Sequence, residues 1–422
     1  MRQFAGNQRR PTEIRLARAG MDRETKMEAT ASSEAAGPEH VARARALAPL
    51  ISASADEIER GRRLTEPVVK ALIEGGFYRM LLPKSFGGTE LAPAYFMAVL
   101  EEIAKADAST AWCLGQCGVC AMVAAYLEPD TAREIFDPHP GVLAWGSAAG
   151  EVHAVSGGYR ATYRWTFASG CRQAGWLGAH VHIIEPDGKK RLKPDGTPVL
   201  RTILFPIASA TLHDVWDVIG LKGTGTDNYS VSDLFIPERY SALRDDPAAS
   251  HEAGTLYRLT TSMMFGLGFA TIALGVARAV LDASLVVARG KASPQVKHAM
   301  RDNNVVQGQI GRNEAKLRAA RAYLYGSVND VWRDLTRPAA LTTEHRIALR
   351  LASSWAIHQA VEVVDSAYHM TGATAIFHSN PFERRFRDIH AIAQQIQARD
   401  IHYETVGQVL LGLDPDAPVF AT

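Results

Sequence analysis

The sequence predicts a mainly α protein interrupted by one β-rich insert. Apolar residues recur at helical spacing from about residue 39 to Tyr126, the period shortens near Gly141, and long helical patterns return from about Leu256. These changes set four expected segments: an extension over 1–37, an N-terminal helical domain over 38–140, a β domain over 141–245 and a C-terminal helical bundle over 246–422.

His40–Arg60 is rich in Ala, Arg, Leu and Glu, and Glu66–Glu74 continues at helical spacing until Gly75-Gly76 supplies a C-cap. Leu81-Leu-Pro-Lys-Ser-Phe-Gly-Gly-Thr89 reads as a turn-rich connector. Leu91–Ala106 reads as a helix that buries Phe96, Val99, Leu100 and Ile103, and Ser109–Tyr126 as one apolar enough to be buried all round. The insert holds the short segments Val142–Gly146, Gly158–Phe167, Trp176–Glu185, Thr202–Pro206, Leu212–Leu221 and Tyr229–Ile236. Asp187-Gly188 and Asp195-Gly196 stand where hairpin turns belong. Leu256–Arg289, Arg301–Leu335 and Thr343–Met370 are long enough for a bundle, with a last segment after Arg384.

Hydrophobic residues at 47% and charged residues at 22% describe an ordinary globular chain, and 46 Lys+Arg against 45 Asp+Glu leave no basic excess that would favour nucleic acid. No run of about 18 residues is apolar throughout, so no membrane span is expected. Residues 1–37 carry Arg2, Arg9, Arg10, Arg15 and Arg18 without the apolar stretch of a secretory signal. Their composition resembles a transit peptide, the plainer reading is a disordered extension, and Met21 or Met27 offers an alternative start. Four cysteines suggest no disulfide framework, so a reducing cytoplasm is the expected compartment.

Several motifs carry competing readings. Cys113-x-x-x-Cys117-x-x-Cys120 has the spacing of an iron–sulfur ligand set, but it lies in a helical pattern that puts all three thiols on one face, which favours packing over a metal. His180-Val-His182 lacks a third ligand and reads as packing. No G-x-G-x-x-G between strand and helix, P-loop or G-x-S-x-G elbow is present. Tyr159–Gly170 is more informative. It alternates like a strand, and Phe167 and Ser169, two apart, are expected on one face. A ring beside a hydroxyl suits a planar ligand such as a flavin. Gly220-Leu-Lys-Gly-Thr-Gly225 then leads into an alternating segment ending at Pro237, where small residues let backbone approach a ligand.

Leu82-Pro-Lys-Ser-Phe-Gly-Gly88, Ala106-Asp-Ala-Ser-Thr-Ala111, Trp165-x-Phe-x-Ser-Gly170, Gly220–Gly225 and Glu383-Arg-Arg-Phe-Arg-Asp388 together resemble the acyl-CoA dehydrogenase superfamily, in order from about residue 40 to 415. The resemblance implies an N-terminal helical domain, a central β-barrel and a C-terminal four-helix bundle, a homotetramer, and flavin between barrel and bundle. Dehydrogenases of that family use a Glu base. The position after Arg387-Asp388 falls near Ile396, and the alternative region, Thr260-Thr-Ser-Met-Met-Phe-Gly266, also lacks a carboxylate; Glu404 lies too far along.

The Trp-x-Phe-x-Ser-Gly form instead resembles the two-component, flavin-dependent monooxygenase branch. That implies reduced FMN or FAD from a separate reductase, O2 as co-substrate, a C4a-hydroperoxyflavin, and an aromatic or apolar small-molecule substrate. The resemblance makes Ser169 the hydrogen-bond donor at flavin N5 and Phe167 the ring-packing residue. It sets Trp145 and Ser147 along the flavin, Arg289 at its phosphate and the Thr371-Gly372 turn nearby. Cys120 and Gln395 fall where this branch commonly carries histidines, and are expected to face substrate; His390 is out of phase. The alternatives are an acyl-CoA dehydrogenase or oxidase with another base, and a flavin-binding homologue without catalysis.

Overall fold

The structure, a computed structural model, describes residues 11–137, 141–291, 299–337 and 340–415, with side chains from Ala36 onward. Five helices precede the sheet: α1 (Pro11–Gly61), α2 (Glu66–Glu74), α3 (Pro93–Ala106), α4 (Ala108–Cys120) and α5 (Pro129–Phe136). The chain expected to be an extension is helical from Pro11, where Ala, Glu, Arg and Met favour that state; residues 1–10 lie outside the described residues. In its second half α1 buries Ala44, Ile51, Ala55 and Ile58 along one face and packs on α3. Asp107 caps α4, accepting from the Thr110 amide and hydroxyl, both at 2.7 Å, which accounts for the Ala-Asp-Ala-Ser-Thr motif.

Strands β1 (Leu143–Val155), β2 (Gly158–Ala168), β3 (Trp176–Ile184), β4 (Leu200–Pro206), β5 (Thr211–His213), β6 (Asp227–Pro237) and β7 (Ser241–Ala242) form one sheet in the order β5-β6-β2-β1-β3-β4-β7. β1 runs parallel to β3 and antiparallel to β2. The barrel expected from the resemblance is corrected here to an open sheet, because no ladder joins edge strands β5 and β7 among the described residues. The segment expected as a strand over Leu212–Leu221 pairs only through His213. Beyond it, Asp214 is drawn to Arg62 at 2.7 Å and Trp216 Nε1 donates to the Leu221 carbonyl at 2.9 Å, which turns the chain out of the ladder. The Asp-Gly turns form as expected, with Gly188 and Gly196 at φ of +81° and +83°.

The C-terminal half holds α6 (Thr261–Gly290), α7 (Asn304–Leu335), α8 (Thr343–Thr371), α9 (Phe382–Ala393) and α10 (Ile401–Leu410). α6 is the hub, packed on α8, α3, α4 and α7. By length and composition, Ala108–Tyr126 and Thr261–Gly290 could cross a membrane, contrary to the sequence expectation. Their apolar windows are 100% and 83% buried within the protein, so here they are core helices.

The C-terminal motifs join sheet to bundle. The Leu221 amide donates to Asp388 Oδ1 at 2.6 Å, and Arg387 Nη1 donates to the Ile219 carbonyl at 2.7 Å. A Cβ on Gly220 would lie 2.2 Å from the Arg387 carbonyl oxygen, so only glycine admits this approach. Two motifs more than 160 residues apart are thus halves of one contact.

Candidate active site

Two adjacent strands break register at the same level. β1 shifts against β3 between Trp145 and Ala149, and β2 shifts against β6 between Trp165 and Ala168. Gly146 lies directly over the neighbouring strand, since a Cβ there would stand 2.5 Å from the Thr166 carbonyl oxygen. The paired bulges turn Ser147, Ala148 and Ala149 outward. They also leave Phe167 at φ +61° with 56% of its surface exposed, edge-on to Trp216 at 6.3 Å. An aromatic residue held in the left-handed region is strained by about 1–3 kcal/mol, and such strain gathers at functional sites.

Ser169 does not share a face with Phe167, as simple alternation predicts. β2 ends at Ala168, and Ser169 turns inward with 5% exposure. Its Oγ accepts from Trp112 Nε1 at 3.1 Å and lies 2.7 Å from Thr226 Oγ1, which lies 2.7 Å from Thr224 Oγ1. Trp112 stacks on Phe269 with centroids 3.8 Å apart; Phe269 meets Phe265 at 5.8 Å, and Phe265 meets Trp145 at 6.3 Å. Residues from α4, α6 and β1 thus make one aromatic wall that ends at a serine hydroxyl. The sequence signal for the α6 part was the i, i+4 spacing of Phe265 and Phe269.

The cysteines support this wall from behind. Cys113 Sγ donates to the Thr224 carbonyl at 3.6 Å and Cys171 Sγ to that of Gly225 at 3.7 Å. A Cβ on Gly170, at φ +78°, would lie 2.6 Å from Cys117 Sγ. All four cysteines are free and buried, and among the described residues no group of His, Cys, Asp or Glu is placed to hold a metal. Burial pushes the Cys113 and Cys171 thiols up to about 12 and the Cys120 thiol higher still.

Cys120 ends α4, fully buried, with Gln116 Nε2 at 3.7 Å from its sulfur. Gln395 is half-buried at the start of a short turn after α9, where Gln397 is buried and Ile396 exposed. Arg289 is exposed in the last turn of α6, and Thr371 is buried at the end of α8 with its hydroxyl returned to the Ala367 carbonyl at 2.8 Å. Gly372 follows at φ +65°. Lys291, which sequence reasoning missed, ties this turn to α6 through the Thr371 carbonyl at 2.9 Å and Thr374 Oγ1 at 3.0 Å. Twenty-four residues of helix at 1.5 Å each put Arg289 about 36 Å from Phe265. Trp145 and Ser169 therefore meet one wall, whereas Arg289, Thr371 and Gly372 gather at the other end of α6.

A buried polar group behind Trp145 was also missed. His180 packs edge-on to Trp145 at 5.2 Å, and its Nδ1 lies 3.0 Å from Thr202 Oγ1. Burial, and after it the Arg244 guanidinium, hold its imidazole well below the usual histidine range, hence neutral. Arg244 lies over Trp145 at 5.5 Å and pairs with Asp245 at 2.6 Å. Asp245 is the carboxylate nearest the start of α6, yet it accepts from the Thr261 amide and hydroxyl, both at 2.8 Å, as well as from Arg244. Its oxygens are engaged in structure. Glu404 is exposed on α10.

Residues 41–135 match the acyl-CoA dehydrogenase N-terminal domain and residues 267–399 the acyl-CoA dehydrogenase C-terminal domain. The chain is 31% identical over 368 residues to the indole-3-acetate monooxygenase of Pseudomonas putida, covering 85% of this chain and 90% of that one. It is 26% identical over 399 residues to the FADH(2)-dependent resorcinol hydroxylase, oxygenase component, of Rhizobium sp. (strain MTP-10005), covering 89% and 94%. The solved structure of XiaF from Streptomyces sp. shares the fold at a TM-score of 0.86 over 92% of this chain and 98% of that one, with 22% identity. The chain belongs to the acyl-CoA dehydrogenase family. Its relatives there include that monooxygenase, the oxygenase subunit of a flavin-dependent monooxygenase from Rhodococcus jostii (strain RHA1) and the oxygenase component of that FADH(2)-dependent hydroxylase.

Proposed function

We propose that this chain is the oxygenase component of a two-component, reduced-flavin-dependent monooxygenase, acting on an aromatic or apolar small molecule. The carrying observation is the wall from Trp145 through Phe265 and Phe269 to Trp112, ending at Ser169 beside the strained, exposed Phe167. This arrangement fits a flavin. Phe167 offers a ring face, Ser147 lies along the outward bulge, and Ser169 offers one hydroxyl at the end of the wall. When bound, reduced FMN or FAD supplies the electrons that activate O2 and the transfer of one oxygen atom to substrate.

The chain's own residues exclude water and orient the partners. Half-buried Phe265, backed by buried Trp145, presents apolar surface that suits an aromatic substrate of the indole class, the class named in the Pseudomonas relative. Neutral His180 and buried Cys120 lie behind that surface, where they hold Trp145 in place rather than exchange protons at neutral pH. Gln395 is half-buried and offers an amide to substrate from the turn after α9. The dehydrogenase alternative needs a carboxylate base. Near Ile396 and Thr260–Gly266 the side chains supply none, and Asp245 is fully engaged.

Arg289, Thr371 and Gly372 are assigned to the phosphate end of a flavin held by a second copy, as part of a homotetramer. The separation of the two ends supports this, as do the exposed apolar Ile376, Phe377, Leu410, Leu411 and Leu413 on the C-terminal half. A separate flavin reductase and a cytoplasmic location, in keeping with four free thiols, complete the proposal.

The test mixes the protein with chemically reduced FMN or FAD, 18O2 and indole-3-acetate or indole. Product mass increased by one 18O atom is expected. Tightly bound flavin that is bleached by an acyl-CoA, with no labelled product, would instead establish the dehydrogenase.

A further inference from the structure

Phe265 gives the aromatic wall its half-buried ring, and the next residue on α6 is Gly266. With no side chain at that position, α6 leaves a small cavity against α8, lined by Met263, Gly266, Arg346, Leu349, Arg350 and Ser353. It holds about 10 Å³, roughly the space of one water. A ring cannot enter it, but the oxygen of a headgroup can.

The charge around this cavity is unbalanced. Arg346 and Arg350 stand one turn apart on the same face of α8. Arg350 is 8% exposed, and burial lowers its guanidinium to about 10. Half-buried Arg346 makes no side-chain hydrogen bond or ion pair among the described residues. Burial lowers its guanidinium too, and Asp245 is the charge that opposes this. Asp245 is already engaged, by Arg244 at 2.6 Å and by the Thr261 amide and hydroxyl. Three arginines therefore share one carboxylate at the start of α6, where the helix dipole adds further positive potential.

Gln397 reaches the same place. It is 7% exposed, its Cγ stands 3.7 Å from a Cβ built on Gly266, and its Oε1 has no hydrogen-bond partner among the described residues. Turned over, that carboxamide donates into the same space. A buried charge without a counter-charge is costly, and an incoming anion relieves that cost.

We infer that this cavity takes the carboxylate of the substrate, which makes the chain selective for aromatic acids over neutral aromatics. This rests on the substrate surface proposed above and narrows the class that it accepts. The ring lies on Phe265, and a short arm carries the carboxylate past Gly266. There Arg346 and Arg350 donate to its oxygens, and Gln397 offers an amide N–H. These residues set specificity and take no part in oxygen transfer.

The test compares indole-3-acetate with indole-3-acetamide, a neutral molecule of nearly the same shape, by anaerobic calorimetric titration of the full-length protein with reduced FMN or FAD present. Wild-type protein is expected to bind the acid about tenfold more tightly than the amide, or better, as charge-assisted hydrogen bonds warrant. Gly266→Ala is sterically mild, since the nearest neighbour of its Cβ is Arg350 Nη1 at 3.6 Å, and alanine favours helix. It fills the cavity and is expected to bring the ratio close to one, with the affinity for the amide little changed. Arg346→Met keeps a long side chain without the charge and is expected to act the same way. Wild-type protein that oxygenates indole yet shows no preference for the acid overturns the inference, as does an unchanged ratio in a folded variant. Weaker FMN binding by Arg346→Met, with riboflavin binding unaltered, would give the cavity to the flavin phosphate and overturn it as well. Failure of wild-type protein, reduced flavin and 18O2 to label indole, the acid or the amide overturns the proposed function itself.

Discussion

The two ends of α6 carry opposite kinds of chemistry. At the Phe265 end, Trp112, Phe269 and a cluster of hydrogen-bonded hydroxyls are buried together. At the Arg289 end, an exposed guanidinium, the Lys291 ammonium and the left-handed Gly372 present charge and backbone to the surroundings. The first end suits a flat, uncharged ring and the second a phosphate. About 36 Å of helix keeps them apart in one chain, and the proposed function accordingly divides recognition of ring and tail between two copies.

The largest expected effect comes from unseating the ring end alone. Gly220→Ala drives a Cβ into the Arg387 carbonyl and is expected to cost about 3 kcal/mol, read as a lowered denaturant midpoint, with loss of flavin binding. Ser169→Ala strands the buried Trp112 indole N–H and leaves Thr226 only its contact with Thr224. A loss of about 1–3 kcal/mol in stability is expected, together with weakened flavin binding. Retention of both stability and flavin binding would remove Ser169 from the ring end.

A division between copies can be tested by complementation. Ser169→Ala and Arg289→Ala chains, each weak in flavin binding alone, are expected to regain binding when co-expressed, because some mixed sites combine an intact Ser169 with an intact Arg289. No recovery would place both groups in one chain's site.

Smaller effects follow from ionisation. Burial, and next the neighbouring Asp107, push the Asp388 carboxyl up to about 7. Between roughly pH 4 and 7 the folded residue keeps a proton that the unfolded one has lost, so its contribution to stability falls as pH rises through that window. Asp388→Asn is therefore expected to gain in melting temperature relative to wild type on going from pH 5 to pH 8. A constant difference would mean that Asp388 is ionised throughout. The smallest effect expected is at the thiols. With Cys113 and Cys171 raised to about 12, iodoacetamide at pH 8 should label no cysteine in the folded protein and all four after denaturation.

Much of the architecture was legible in the sequence. The long bundle helices, the capped turn at Gly75-Gly76 and the Asp-Gly turns each depend on local pattern, and local pattern survives folding. Ser169 was singled out by a strand-end motif, and Trp145 by the family resemblance alone. The partners of Ser169 were not legible, since Trp112 and Thr226 lie 57 residues to either side of it and meet it only through the tertiary fold. Alternation misplaced Phe167 because a bulge with positive φ rotates the chain where period-two logic assumes extension. Barrel closure came from the family resemblance and not from local pattern; local pattern did over-read the Leu212–Leu221 segment, whose strand-like composition is overridden by contacts at Asp214 and Trp216. His180 was set aside as a packing residue, and burial does keep it neutral; its position behind Trp145 could come only from the β1–β3 register.

The backbone of Phe167 has a consequence for how this chain can change by mutation. At φ +61°, glycine or asparagine would be more comfortable, so a drift selected for robustness alone would discard the ring. Phe167→Gly should make the free protein harder to melt while making it a poorer host for its ligand. Position 167 is therefore a place where durability and activity compete directly, and attempts to build a hardier catalyst from this chain would do better to leave it alone.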